Sequence, residues 1–436
     1  MPKHTKLLTA IDIGTEKIAT VIASVQATGD ISVLGVSVLP SKGMKKSQIV
    51  DLEAITSVLE ESVDAAERMA GIGIKSATVS ISGAHIDTIN SKGVVAVAHT
   101  EGEIVDTDVT RVLEAAQAVS LPSSREILHV VPRDFKVDSQ EGIKDPRGMS
   151  GVRLEAEAHI ITGASTSLKN IVKCVNDVGV QVETLVYSGL AASQSTLSET
   201  EKELGVALVD IGAGSTAISV YVDGSLAHSK VLPVGARHIT SDIALGLRVS
   251  LQSAEIIKLA LSKLPPISLT AKPNETREEA RQRKKSEDSF DVTPLGLTDI
   301  SGELSKKAII DGIIIPRLTE LFRLIERELS DKKLMDLVPA GIVLTGGGAE
   351  TVAIQEACKN TMRLPCRVGS PTHLHGLIED IIGPQYATTV GLLLYAKDSG
   401  LGSAQEQPKF SLASLKKIPL SAAPALIKKI IGRLFP

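Results

Sequence analysis

The chain opens on apolar residues that run into an acid and a glycine: Leu8-Thr9-Ala10-Ile11-Asp12-Ile13-Gly14-Thr15-Glu16-Lys17. The pattern returns at Ala207-Leu208-Val209-Asp210-Ile211-Gly212-Ala213-Gly214-Ser215-Thr216, with the two aspartates 198 positions apart. Each copy predicts a short buried strand, a turn of small or polar residues, and a second β-rich run. That run is Ile18–Val25 in the first copy and Ala217–Val222 in the second. Turns at Thr28-Gly29-Asp30 and Asp223-Gly224 lead to third strands, Ile31–Leu39 and Leu226–Leu232. Helical periodicity follows in both. Leu52, Ile55, Val58, Leu59 and Val63 mark a helix within Ile49–Met69. Ile243, Leu247, Ile256, Ile257 and Leu261 mark another across His238–Leu264. Two similar α/β halves predict two lobes around a cleft, the usual place for a ligand.

The pattern between about Gly83 and Thr162 is different. Val94–Ala98, Ile127–Val131 and Phe135–Asp138 read as strands, Asp106–Val119 as a helix, and Asp145–Gly151 as a Gly-rich turn. This predicts a small inserted α+β subdomain. A second interruption lies at about 265–297, where Lys272–Asp288 carries eleven charges of both signs in seventeen residues. A solvated loop or exposed helix accounts for it. After Tyr395, residues 397–423 lose any periodic apolar face and read as linker.

Composition narrows the class. With 43% apolar and 22% charged residues, the chain is neither disordered nor fibrous. Aromatics are 2% and Trp is absent, so the core must be aliphatic. At ~150 residues per domain, 436 residues suggest two to four domains or one large two-lobed fold. Cys174, Cys358 and Cys366 form no C-x-x-C pair and read as inert thiols of a reducing compartment. No run approaches the ~18 apolar residues of a membrane span. Leu7–Ile11 is too short for a signal sequence, so a cytoplasmic location is expected.

Net charge is −4, but its distribution matters more. From Lys409 to Pro436 there are six basic residues and no acidic ones, leaving 41 basic against 51 acidic elsewhere. The acidic body gives no reason to expect nucleic acid, whereas the basic tail points to an anionic partner. Taking Pro424 as a first-turn residue, a turn of ~100° per residue puts Leu426, Ile427, Ile430, Ile431, Leu434 and Phe435 on one side. Lys428, Lys429, Gly432 and Arg433 fall on the other. Such a basic amphipathic helix suits a membrane interface rather than a span. Its three cations could add about 3 kcal/mol on an anionic leaflet. Docking on the body or on another protein is the alternative.

The candidate chemistry sits at the two Asp-Ile-Gly turns. Glycine lets backbone N–H groups approach a phosphate, a hydroxyl adds a donor, and Asp can hold a magnesium hydrate. One such turn is weak evidence. Two in corresponding places could clamp a polyphosphate from both sides. Ile342-Val343-Leu344-Thr345-Gly346-Gly347-Gly348-Ala349 runs a strand into three glycines, then into a helix-like Glu350–Lys359. That turn could seat a flat ring or sugar, with a helix N-terminus that favours anions.

In this order the three motifs resemble those of the actin-like ATPases. Val186–Ala192 and Tyr386–Leu392 stand where that superfamily has its two interlobe helices. Within it, Glu126–Asp138 and Ile143–Met149, with the linker and terminal helix, resemble the bacterial cell-division family FtsA. The resemblance covers nearly the whole chain. It implies an α/β, actin-like two-lobed fold with an inserted α+β subdomain. The implied boundaries are 1–83 and 164–200 for the first lobe, and 84–163 for the insert. The second lobe takes 201–238 and 316–396, with an outer subdomain over 239–315. A linker over 397–423 and a membrane helix over 424–436 complete the chain.

Carried onto this sequence, the resemblance implies ATP with Mg2+. Asp12 and Asp210 would hold the metal. Gly14, Thr15, Gly212, Gly214 and Ser215 would line the phosphates, and Gly346, Gly347 and Gly348 the adenosine. Glu255 and Lys258 would reach ribose or adenine. Glu16 would repel a triphosphate and is expected to point away. Ser188 stands where hydrolytic relatives carry Glu or Gln, so hydrolysis is expected to be slow or absent, and no catalytic residue is assigned. The implied function is a filament-forming tether at the cytoplasmic face of the membrane, at the division site. Its partners would be anionic lipid, the C-terminal peptide of the tubulin-like FtsZ (bound around 239–315), further copies of itself, and other division proteins. The alternatives are a type IV pilus assembly scaffold, which needs no terminal helix, and a sugar or acetate kinase, for which no catalytic base stands out. A rod-shape actin of the MreB type would lack the Glu126–Met149 signature.

Overall fold

The computed structural model describes residues 6–98, 102–264, 276–372, 374–376 and 381–404. The terminal amphipathic helix and residues 405–423 of the expected linker lie outside them.

The first lobe is built on the first Asp-Ile-Gly meander. Strands β1 (Lys6–Ile13), β2 (Lys17–Val25) and β3 (Ile31–Pro40) pair antiparallel. A small hairpin, β4 (Met44–Lys45) and β5 (Gln48–Ile49), leads to α1 (Leu52–Ala70). Asp51 caps α1 by accepting from the Ala54 N–H at 3.0 Å, and Gly71 ends it at φ 66°. Ile55, Val58, Leu59, Ser62, Val63 and Ala66 are buried, the spacing of one helix face. Strand β6 (Ser76–Ile81) then pairs parallel with β1.

The insert follows. Strand β7 (Asp87–Ala96), helix α2 (Asp106–Gln117) and strands β8 (Arg125–Val137), β9 (Gln140–Ile143) and β10 (Arg153–Ala164) form a four-stranded sheet, ordered β7-β10-β8-β9, with α2 packed on it. A side chain at Gly93 would meet the Val112 carbonyl at 2.1 Å, so glycine is what lets α2 seat on β7. The sequence suggested two strands around Pro132, but β8 is one. Its register against β10 shifts at Glu157/Ala158, opposite Pro132 to Asp134, so the missing proline N–H falls at an irregularity.

The chain re-enters the first lobe through α3 (Ser165–Asp177) and β11 (Gln181–Tyr187), then crosses by α4 (Ser188–Thr196) and α5 (Glu199–Leu204). The second lobe repeats the plan with β12 (Val206–Ile211), β13 (Thr216–Val222) and β14 (Ser225–Leu232). The expected helix over His238–Leu264 is two, α6 (Arg237–Leu247) and α7 (Leu251–Lys263). Arg248 breaks them at φ 57°, and Ser250 caps α7 by accepting from the Ser253 N–H. Apolar residues of both helices face one core, so a single periodicity runs through the break.

Next come α8 (Arg277–Asp288), the pair β15 (Ser289–Asp291) and β16 (Glu303–Ser305), α9 (Lys306–Ile309), and α10 (Ile315–Asp331) behind a π-turn. Helix α8 carries residues 277–288 of the charged segment and is capped by Thr276, which accepts from the Glu279 N–H. Strand β17 (Ile342–Thr345) runs parallel to β12. The second and third glycines open a 3-10 turn, Gly347–Glu350, and only then comes α11 (Ile354–Met362). The helix N-terminus expected beside the glycines therefore sits further on.

Strands β18 (Cys366–Val368) and β19 (Leu374–Gly376), α12 (Ala387–Asp398) and β20 (Ser403–Ala404) complete the elements. The sheet orders are β11-β6-β1-β2-β3 and β18-β17-β12-β13-β14, each an antiparallel meander extended by parallel strands. The first continues into β19, and β20 pairs with β1. Residues 397–404, read from sequence as the start of the linker, are instead the end of α12 and this short strand.

Helices α4 and α12 cross between the lobes. A side chain on Gly391 would lie 1.8 Å from the Ala191 carbonyl, so the crossing depends on a bare glycine.

Candidate functional site

Strands β1 and β12 end at the same cavity, of about 830 Å³, one from each lobe. Asp12 and Asp210 are the penultimate residues of β1 and β12. The Ser80 hydroxyl, on β6, donates to Asp12 Oδ1 at 2.6 Å, and the Thr389 hydroxyl to Asp12 Oδ2 at 3.2 Å. The Thr388 hydroxyl donates to Asp210 Oδ2 at 3.1 Å. Adjacent helix residues point about 100° apart, so two neighbouring threonines of α12 can serve two lobes. Sequence reasoning noted Tyr386–Leu392 as a connection but missed these hydroxyls. The visible signal was a Thr-Thr pair at a helix start.

Two carboxylates at one cavity floor repel. Burial raises Asp12 above the ordinary carboxylate range. Burial, with Asp12 nearby, pushes Asp210 up to about 7. Lys17 is the neighbouring cation. Burial brings it down to about 8, against the pull of Asp12, Glu350 and Asp210. Its Nζ lies 3.5 Å from the centroid of the Tyr386 ring. Neither Lys17 nor Tyr386 was singled out from the sequence.

The predicted phosphate loops meet. The Ser47 N–H donates to Thr15 Oγ1 at 2.9 Å, and Ser47 Oγ lies 2.7 Å from Ser215 Oγ. A side chain on Gly214 would come within 2.6 Å of Thr15 Oγ1. Gly14 and Gly212 make the tight turns, each N–H donating to a carbonyl three residues on, Lys17 and Ser215, at 2.9 Å. Glu16 is exposed at the cavity edge, and Ser188 is buried in its wall at the start of α4.

The three glycines differ in role. Gly346, at φ 81°, lies against Asp210: an added side chain would sit 2.3 Å from Oδ1. At Gly348 it would strike Ile211 at 2.4 Å, while at Gly347 the nearest atom is Gln385 Cβ at 3.7 Å. Gly347 is thus the one open to a ligand. Across the cavity, Lys258 donates to Glu255 Oε2 at 2.7 Å and to Thr240 Oγ1 at 3.0 Å. The sequence-predicted residues of the body line one cavity, except Gly214, which packs beside it against Thr15 and Lys46.

The insert is wired to the same junction. Tyr187, buried just before α4, donates its N–H to His129 Nε2 at 3.0 Å and its hydroxyl to the Ile218 carbonyl at 3.2 Å. Burial holds His129 down to about 4, so the ring is neutral and can accept. Thr88 and His159 reach Ser229 of β14, at 2.9 and 3.1 Å.

Comparison with known proteins identifies this architecture. A model described as "SHS2 domain inserted in FTSA" matches residues 83–162, and one described as "Cell division protein FtsA" matches 207–391. The cell division protein FtsA of Pseudomonas aeruginosa is 39% identical over 394 residues, covering 89% of each chain. The chain belongs to the FtsA family of cell-division proteins. The fold of this FtsA-family chain is actin-like. It matches a type IV pilus PilM–PilN structure at TM-score 0.59 and 14% identity, over 89% of this chain and 98% of the other. It also matches MreB5 of Spiroplasma citri bound to AMPPNP, at TM-score 0.51 and 13% identity, over 91% and 97%. FtsA membership sets aside the pilus-scaffold and kinase alternatives. Among the described residues, no helix is long and apolar enough to cross a membrane.

Proposed function

We propose that this FtsA-family protein binds ATP with Mg2+ between its lobes and works as a membrane tether and scaffold at the division site. The observation that carries the nucleotide reading is the meeting of Asp12 and Asp210 at one cavity floor, each carboxylate held by a neighbouring threonine of α12. Two half-buried carboxylates beside a lowered lysine form a site short of positive charge. Among the described residues, no group of three or more His, Cys, Asp or Glu gathers. A hard cation would therefore take its remaining ligands from phosphate and water. The donor set fits: oxygen ligands only, beside glycines whose backbone is bare.

In this reading, Asp12 and Asp210 would hold Mg2+, which would supply the positive charge that offsets both the phosphates and the aspartates. Thr15 and Ser215 would present hydroxyl donors to the phosphates, while Gly14, Gly212 and Gly214 shape the turns that hold them there. Gly347 offers bare backbone to the adenosine, and Glu255 and Lys258 stand at its ribose side. Residues of both lobes line the cavity, so a nucleotide held by them would act mainly as a ligand that sets lobe closure and, through it, head-to-tail filament assembly. The basic amphipathic sequence 424–436 supports attachment to the cytoplasmic face, and family membership supports FtsZ, further copies of this chain and other division proteins as partners. The test is calorimetric titration with ATP, with Mg2+ and with EDTA. Mg2+-dependent saturation at one site per chain supports the reading; no heat in either condition refutes it.

A further inference from the structure

The hairpin β4–β5 has a turn that its sequence does not favour. Lys46 and Ser47 lie at φ 49° and 58°, the left-handed region that two-residue hairpins usually fill with Asn-Gly. Non-glycine residues pay for such a conformation, and they persist where surroundings hold them. Here the surroundings are both lobes. Ser47 Oγ lies 2.7 Å from Ser215 Oγ of the second lobe and 3.4 Å from Thr15 Oγ1 of the first. Its N–H donates to Thr15 Oγ1, which leaves the threonine proton free to turn into the cavity. Two glycines make room. A side chain on Gly214 would come within 2.9 Å of Lys46 Cα, and one on Gly83 within 2.9 Å of the Ser47 carbonyl. The hairpin tip is thus inserted between the two phosphate loops, and Ser47 lines the cavity.

We infer that the β4–β5 hairpin is a strap across the phosphate end of the cleft, and that Ser47 is a positioning residue that ties phosphate binding to lobe closure. The inference rests on the nucleotide reading above. The Thr15–Ser47–Ser215 hydroxyl chain links the loops directly, so a polyphosphate leaves only when that chain opens. Ser47 touches the phosphate end alone, because Gly347, Glu255 and Lys258 lie along other walls of the cavity.

The test is Ser47→Ala in the full chain, with three readouts. Dissociation of a fluorescent ATP analogue, followed by stopped flow with Mg2+, should speed up about tenfold. Affinity for adenosine, which has no phosphate, should stay within twofold of the parent. Amide exchange of residues 44–50 without nucleotide should quicken, because the strap has lost its hydroxyl link. An ATP off-rate within twofold of the parent overturns the proposal. So does a parallel fall in adenosine affinity, which would mark general damage to the fold. If the parent itself takes up no nucleotide, the nucleotide reading fails instead. The strap then stands or falls on exchange, and unchanged exchange in the variant refutes it.

Discussion

Asp210→Asn measures how much charge strain the cleft holds. Burial and the facing Asp12 push the Asp210 carboxyl up to about 7, whereas a free aspartate titrates near ~3.9. Between those values the folded chain keeps a proton that the unfolded chain has lost. By linkage, this group lowers stability as pH rises through about 4 to 7, after which its effect levels off. A gap of about three pH units at ~1.4 kcal/mol each puts the full penalty at about 4 kcal/mol. Asn keeps the shape and can still accept from Thr388, but carries no charge. Nucleotide-free Asp210→Asn should therefore be more stable than the parent by up to about 4 kcal/mol at pH 8 and nearly equal to it at pH 4. Urea unfolding at pH 4, 6 and 8, followed by circular dichroism, reads the difference. Adding ATP with Mg2+ at pH 8 should raise the parent's stability and close the gap. A variant less stable than the parent at pH 8, or a difference independent of pH, would refute the reasoning.

Two further outcomes follow from geometry. Gly391→Ala drives a methyl against the Ala191 backbone where α4 crosses α12, and backbone cannot step aside like a side chain. It should cost at least the ~3 kcal/mol at the upper end of core overpacking, read from the urea midpoint. Arg367 donates to both carboxylate oxygens of Glu201, at 2.7 and 2.8 Å, and pulls it down to about 2. The pair's contribution is present above the ordinary glutamate range and lost as pH falls toward 2. Arg367→Ala should therefore flatten the acid side of the stability profile and leave its shape above pH 6 unchanged.

Much of the fold was legible because it repeats. Asp12-Ile13-Gly14 and Asp210-Ile211-Gly212 each end a strand, turn, and begin another, and a meander needs only local signals. The insert was visible as a change of texture. What escaped was either local strain or long-range contact. The break at Arg248 is invisible to periodicity because α6 and α7 bury residues in the same core. The strands read at Ile127–Val131 and Phe135–Asp138 are one, β8, because the irregular register opposite Pro132 lets the strand run through. Ser47 lies 168 positions from Ser215, and nothing near Lys46-Ser47 announces a partner in the other lobe. Thr388 and Thr389 had a local signal, but their roles appear only when both lobes are in place.

Co-sedimentation with anionic vesicles, with ATP and Mg2+, tests the tether most directly, by comparing the full chain with one truncated after Gln407. The account predicts that the full chain pellets, that salt releases it, and that the truncated chain stays in solution while still binding nucleotide. If both chains pellet equally, or both stay in solution at every salt concentration, residues 424–436 are not a membrane anchor and the tether reading is wrong.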